Sequence, residues 1–167
     1  MALKILVMGV TATGKTTLGI ALAQALQRRF VDGDDLHPGG NVRKMARGEP
    51  LTDRDRAPWL DRVGRTLAEG GGTTIVACSA LKRAYRDRIR ARAGLVSLVY
   101  LSVDRDRLDT RLRARTGHYM PPSLLDSQLA TLELPTADER PIRLDAVRPP
   151  LRLVGEVLDR LRGRRLP

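Results

Sequence analysis

Residues Gly9-Val10-Thr11-Ala12-Thr13-Gly14-Lys15-Thr16 fit the pattern G-x-x-x-x-G-K-[ST], and their surroundings constrain the fold as much as the pattern does. The short apolar run Leu3 to Met8 precedes them and reads as a buried parallel strand. Leu18, Leu22, Ala25 and Leu26 follow at helical spacing, so a helix is expected from Lys15 to about Arg28. A glycine-rich turn between a strand and a helix lets several backbone N–H groups converge on phosphate oxygens. The helix N-terminus adds the positive end of its dipole. Lys15 then reaches the β- and γ-phosphates as a point charge, and Thr16 offers a hydroxyl to Mg²⁺. The expected nucleotide contacts are Gly9, Val10, Thr11, Ala12, Thr13, Gly14, Lys15, Thr16 and Thr17. The chain therefore reads as a P-loop domain that binds a nucleoside triphosphate.

The rest of the chain alternates between strand and helix signals. Phe30 to Asp32 reads as a second strand, Thr73 to Cys78 as a third, Leu95 to Ser102 as a fourth and Arg143 to Val147 as a weak last one. Helices are expected over 41–46, from Thr52 or Asp53 to about Glu69, over 81–92, from Asp104, over 124–132 and over 151–161. Pro58 leaves a second possibility for the long helix, a start near Ala57 with the proline in the first turn. Such alternation predicts an α/β fold, a five-stranded parallel sheet with helices on both faces. A length of 167 residues suits one domain.

Composition narrows the partners. Lys and Arg total 30 against 19 Asp and Glu, a formal charge of +11, which first raises a polyanion such as nucleic acid. The excess is nearly all arginine, with lysine only at 4, 15, 44 and 82, and aromatics are 3% of the chain. Single-strand binders stack bases on aromatic side chains, and this chain has little to build such a platform with. One cysteine, Cys78, precludes an intrachain disulfide and suits a reducing compartment. No apolar stretch approaches the length of a membrane span. The expectation is a cytoplasmic protein with no membrane and no nucleic-acid partner.

The second strand ends in Asp32-Gly33-Asp34. Strand residues two apart share a side, so two carboxylates should face the phosphate loop together. Such a pair divides the work of phosphoryl transfer, one holding Mg²⁺ and the other taking the proton of an attacking hydroxyl. Asp34 is the favoured base and Asp32 the favoured metal ligand beside Thr16, with the exchange of the two left open.

Longer blocks carry a family resemblance. Asp32-Gly33-Asp34-Asp35-Leu36-His37-Pro38, Asn41 and Lys44-Met45 resemble the signature of the small gluconokinases. The likeness continues through Gly48-Glu49-Pro50-Leu51-Thr52-Asp53 and Asp55-Arg56-Ala57-Pro58-Trp59-Leu60. It resumes at Cys78-Ser79-Ala80-Leu81-Lys82, Tyr85-Arg86-Asp87, Arg90, Arg111-Leu112, Arg115, Gly117-His118 and Met120. Weaker echoes are Ser127-Gln128, Thr131-Leu132-Glu133, Pro135 and Asp138-Glu139. Ala12, where the family often has glycine, and Tyr119, where it often has phenylalanine, are small departures.

The resemblance implies ATP-dependent phosphorylation of D-gluconate at its 6-hydroxyl, the fold of shikimate and nucleoside monophosphate kinases, a mobile lid at about 112–135, and a homodimer. Gluconate is a polyol with one carboxylate. Its pocket should draw on Asp34, His37, Asn41, Lys44, Arg56, Ser79, Lys82 and Arg86, with His118 added by resemblance. A guanidinium grips a carboxylate through two parallel bonds, which favours Arg56 or Arg86. Arg111 and Arg115 lie four apart on one helical face. By resemblance Arg111 lies near the adenine or phosphates, and Arg115 swings onto the transferring group. The runner-up reading is a related small kinase acting on shikimate, adenylylsulfate or a nucleotide.

Overall fold

Three apolar runs without polar alternation, Lys4–Met8 (β1), Thr74–Ala77 (β3) and Ser97–Ser102 (β4), form the middle of a five-stranded sheet in the computed structural model. Arg29–Asp32 (β2) and Ile142–Asp145 (β5) close its two edges, and the order is β2-β3-β1-β4-β5 with every pairing parallel. The structure describes residues 2–69, 71–115 and 122–164. The central strands are apolar throughout because both their faces are covered. Ile5 and Val7 of β1 pack with Leu18 and Leu22 of α1 (Lys15–Leu26) and with Leu153, Val157 and Leu161 of α7 (Pro150–Gly163). Leu6 and Met8 point the other way, onto Trp59, Leu60, Val63 and Leu67 of α3 (Asp53–Ala68) and Tyr85 and Ile89 of α4 (Arg83–Ala93). The expected α/β sandwich is thus observed.

Three further helices, α2 (Gly39–Ala46), α5 (Arg105–Ala114) and α6 (Pro122–Thr131), and two 3-10 turns, Gly33–Leu36 and Ala137–Glu139, complete the described residues. The helix α3 takes the longer of its two expected forms. Thr52 caps it and exchanges a full capping box with Asp55, and Pro58 sits inside rather than at its start. Proline removes one helical hydrogen bond. The cap and the burial of Trp59, Leu60, Val63 and Leu67 outweigh that loss. The part of the expected lid at 116–121, including His118, lies outside the described residues. Beyond it, α6 is docked through fully buried Leu125 onto Val10, Ala12, Leu81 and Leu108. No helix among the described residues is long and apolar enough to cross a membrane.

Strand β1 sits between β3 and β4, and the connection after β1 runs toward the β2 edge while the one after β4 runs toward the β5 edge, so the two diverge between these strands. In open parallel sheets that divergence opens a crevice where ligands bind. The glycine loop leaves β1 at this point, with the carboxyl ends of β2 and β3 beside it.

Candidate active site

The loop after β1 is held by its own atoms. Lys15 Nζ donates to the Val10 carbonyl at 2.9 Å, and Thr13 Oγ1 donates to the same oxygen at 3.0 Å. Gly14 caps α1 with a left-handed φ of 93°, and Ala12 also sits left-handed, at φ 63°. The latter conformation is easiest for glycine, which gives a physical reason for glycine at that place in related sequences. Arg111 approaches the loop from outside. Its Nη1 donates to the carbonyls of Ala12 and Thr13 at 3.2 and 3.3 Å, and its Nη2 to that of Ala146 at 2.7 Å. Arg111 therefore ties the phosphate loop to the loop that follows β5. Ala146 carries no side-chain signal that would have marked it in the sequence.

The acidic pair meets the loop by a different route from the one expected. The strand ends at Asp32, and residues 33–36 turn into a 3-10 helix, so strand alternation does not place Asp34. Asp32 does so directly: its Oδ1 accepts from the Asp34 N–H at 3.0 Å, while its Oδ2 accepts from Thr16 Oγ1 at 2.9 Å. The turn passes so close to β3 that a Cβ on Gly33 would lie 2.4 Å from the Ala77 carbonyl oxygen, which only glycine avoids. Trp59 Nε1 donates to the Gly33 carbonyl at 2.7 Å and anchors the turn to α3.

The electrostatics fit a base facing a cation. Desolvation, and then the charge of Asp32, hold the Asp34 carboxyl above the ordinary aspartate range, against the pull of Lys15. Burial lowers the Lys15 ammonium, with Asp34 the leading charge that supports it and Arg115 among those opposing it. Arg115, at the end of α5, thus stands within electrostatic reach of Lys15. Thr16 and Asp32 offer two hard oxygen donors side by side, a set that suits Mg²⁺.

On the other side of the crevice, side chains from α2, α3 and α4 interlock. Asn41 is buried, and its Nδ2 donates to the Asp55 carbonyl at 2.9 Å and lies 3.3 Å from His37 Nδ1. An amide nitrogen only donates, so His37 Nδ1 accepts and its proton sits on Nε2. Burial, and then the charge of Arg56, lower His37 to about 4. His37 stacks on Trp59 with ring centroids 4.1 Å apart. Lys44 Nζ pairs with Asp55 Oδ2 at 2.8 Å, a bond that leads the causes holding Asp55 at about 2.

Arg56, Lys82 and Tyr85 gather around Asp53, a residue that spacing did not single out. Lys82 Nζ lies 3.1 Å from Asp53 Oδ2, Arg56 Nη1 lies 3.5 Å from Oδ1, and the Tyr85 hydroxyl donates to Oδ1. Both cations also sit over the Tyr85 ring, at 5.6 and 5.4 Å from its centroid. The tyrosine bond, followed by Lys82, pulls the Asp53 carboxyl down. Ser79 lies half-buried just after β3, on the loop that ends in Lys82. An arrangement of two cations and a phenol around one carboxylate is also a receptor for a carboxylate from outside.

Arg86 does not join this group. Its side chain is 1% exposed, and its Nε and Nη2 form a two-pronged bridge to Glu139 at 2.7 and 2.9 Å. Its Nη1 donates to the carbonyls of Ala80, Leu81 and Glu133 at 3.0 to 3.1 Å. Every nitrogen of the guanidinium is thus committed to the protein. The fork geometry that made Arg86 attractive for a substrate carboxylate is used on a protein one.

Residues 5–135 match the family model of the AAA domain. The gluconokinase of Gluconobacter oxydans is 45% identical over 157 residues, covering 92% of this chain and 88% of that protein. The thermosensitive gluconokinase of Escherichia coli is 43% identical, covering 84% of this chain and 77% of its own. Among solved structures, a gluconokinase from Sinorhizobium meliloti superposes with a TM-score of 0.85 at 46% identity, over 94% of this chain and 90% of that one.

Proposed function

Because the chain belongs to the gluconokinase family, we propose that it transfers the γ-phosphoryl group of ATP to the 6-hydroxyl of D-gluconate, giving 6-phosphogluconate and ADP. The single observation that carries the chemistry is the chain of contacts from Thr16 through Asp32 to the Asp34 amide. It joins the phosphate loop to a carboxyl whose basicity is raised. The 6-hydroxyl oxygen forms a bond to the γ-phosphorus as the bond to the β–γ bridging oxygen breaks. Its proton passes to Asp34. Lys15 and Arg115 balance the charge on the transferring group, which is where such a reaction needs the most help. Thr16 and Asp32 would hold Mg²⁺, which supplies further neutralisation of the β- and γ-phosphates when bound.

Arg56 and Lys82 receive the gluconate carboxylate, exchanging Asp53 for it, while neutral His37 offers Nε2–H to a hydroxyl. Ser79, Asn41 and Lys44 complete that side. Arg111 stays on the nucleotide side. The remaining features are a single domain and a cytoplasmic location, expected from length and composition, and a lid at about 112–135 and a homodimer, taken from the family resemblance.

The test is an ATP-dependent assay on gluconate read through 6-phosphogluconate dehydrogenase. Steady NADPH formation that requires ATP, Mg²⁺ and gluconate together is expected. No NADPH with gluconate, alongside ADP release with shikimate, adenylylsulfate or a nucleoside monophosphate, would transfer the chain to one of those acceptors. Sedimentation at micromolar concentration reads the dimer.

A further inference from the structure

One hydrogen bond crosses the molecule between parts that the mechanism above leaves unconnected. The N–H of Thr11, in the phosphate loop, donates to Gln128 Oε1 of α6 at 2.6 Å. Thr11 belongs to the end of the loop nearest the terminal phosphates. The ammonium of Lys15, which meets those phosphates, donates to the neighbouring Val10 carbonyl, whereas the amides of Lys15–Thr17 open α1 at the other end.

Gln128 falls within the proposed lid, and in the arrangement the structure shows its neighbours hold it in place. Leu125, one turn earlier, is fully buried against Val10 and Ala12. One turn later, the Leu132 amide donates to the Gln128 carbonyl. Then Glu133 anchors the chain twice: its amide donates to the Leu81 carbonyl at 2.9 Å, and its Oε2 accepts from the Arg83 amide at 2.7 Å. The segment from Gln128 to Glu133 therefore straps the phosphate loop to the Ser79–Lys82 loop on the acceptor side.

We propose that Gln128 is a positioning residue for the terminal phosphate of ATP: it fixes the Thr11 turn of the phosphate loop through its Oε1. A carboxamide suits this place chemically. It accepts the Thr11 N–H with its oxygen and carries no charge beside a polyanion, and its Nε2 can only donate. A glutamate of the same shape would accept the same N–H but would set a negative charge beside the phosphates. The proposal rests on the kinase reading above and deepens it.

The experiment compares Gln128→Glu and Gln128→Ala with the wild-type protein in three readouts: calorimetric Kd for ATP and for ADP without gluconate, kcat and KM for gluconate, and Tm. In Gln128→Glu, Tm and the ADP Kd should stay near wild type, the ATP Kd should rise about tenfold, and kcat should fall about tenfold or more. The Ala variant should lose kcat to a similar extent, with a smaller rise in the ATP Kd and an unchanged gluconate KM. Wild-type kinetics in Gln128→Glu would show a bond that any oxygen satisfies, and the proposal would fall. Equal weakening of ATP and ADP, or a change confined to the gluconate KM, would overturn it too. If the Ala variant does not fold, the Glu variant decides alone. A wild-type protein inert on gluconate would refute the substrate reading, and the ATP-to-ADP comparison, which needs no gluconate, would still judge Gln128.

Discussion

The two banks of the crevice are built on opposite principles. The nucleotide bank is one contiguous loop, Gly9 to Thr17, whose donors are mainly backbone amides and whose shape is held by bonds among its own residues, with Arg111 and Gln128 bracing it from outside. The acceptor bank is assembled from side chains on α2, α3, α4 and the β3–α4 loop, and its working parts are paired polar side chains: Lys44 with Asp55, and Arg56, Lys82 and the Tyr85 phenol with Asp53. Backbone amides read a phosphate whatever side chains surround them. On the acceptor bank each of those cations already holds a protein carboxylate, so a substrate anion gains only the difference between the two partners. Asp34 stands where the banks meet.

That junction should give the largest effect. Asp34→Asn removes the proton acceptor and should lower kcat by about 10²–10⁴, the range general-base groups contribute, with the ATP Kd close to wild type. A mutant retaining near-normal kcat would break the assignment of the base. Asp32→Asn sharpens it. Asp32 is one of the causes that raise Asp34, so removing its charge should move the acid limb of the kcat–pH profile to lower pH as well as depress kcat. An unmoved limb would mean that a group other than Asp34 titrates.

The second effect is on stability. Arg86→Ala leaves the Glu139 carboxylate buried without its two-pronged partner, though Arg83 and Arg90 remain within reach. Unpairing a buried bridge costs about 3–5 kcal/mol, so urea unfolding should show a loss at the lower end of that range. The gluconate KM of the folded fraction should stay within about twofold. A large KM rise with unchanged stability would return Arg86 to the acceptor bank, where sequence reasoning had put it.

Arg86 also marks what the sequence could and could not disclose. The phosphate loop was legible because its chemistry is local: spacing, glycine and a Lys-Thr pair suffice. The sheet was legible because unbroken apolar runs require cover on both faces. Arg86 and Arg56 look alike in sequence, each an arginine on a basic helix within a family motif. Only the fold reveals that Glu139, on the 3-10 turn before β5, reaches one and not the other. Asp53 was hidden for the same reason, since a first-turn aspartate reads as a helix cap until Lys82 and Tyr85 arrive from another element. The Asp32–Asp34 pairing was anticipated through the wrong geometry. A 3-10 turn and an aspartate cap do what strand alternation was expected to do.

Arg56→Ala tests the acceptor bank itself. A charge-assisted hydrogen bond contributes about 1.5–3 kcal/mol, and the loss is reduced because Arg56 gives up Asp53 to make it. The gluconate KM should rise about tenfold, with the ATP Kd unchanged. Lys15→Ala should give the reverse emphasis, a loss in ATP binding and kcat. If Arg56→Ala left KM untouched, the carboxylate would be read elsewhere and the contrast between the banks would lose its main support.

The smallest effects lie in the pH dependence of stability, where His37 of the acceptor bank and Asp34 at the junction should pull in opposite directions. His37 is lowered to about 4 from an ordinary value near 6.5, so the folded state holds its proton less tightly than the unfolded state does. Its stabilising contribution is complete above pH 6.5 and fades as pH falls through the window from 6.5 to about 4. Asp34 is raised, so the folded state takes up its proton first, and in that part of the acid range it adds stability as pH falls. His37→Gln should flatten the drop in Tm between pH 6.5 and 4.5. Asp34→Asn should steepen it, and should raise Tm at pH 7.5 by about 1–2 °C by removing a partly desolvated charge. Since His37 is neutral throughout the physiological range, the gluconate KM of the wild-type protein should change less than about twofold between pH 6 and 8. A KM that climbs through an inflection near 6.5 would show a protonating His37. That would undo its assignment as an Nε2–H donor held by Asn41.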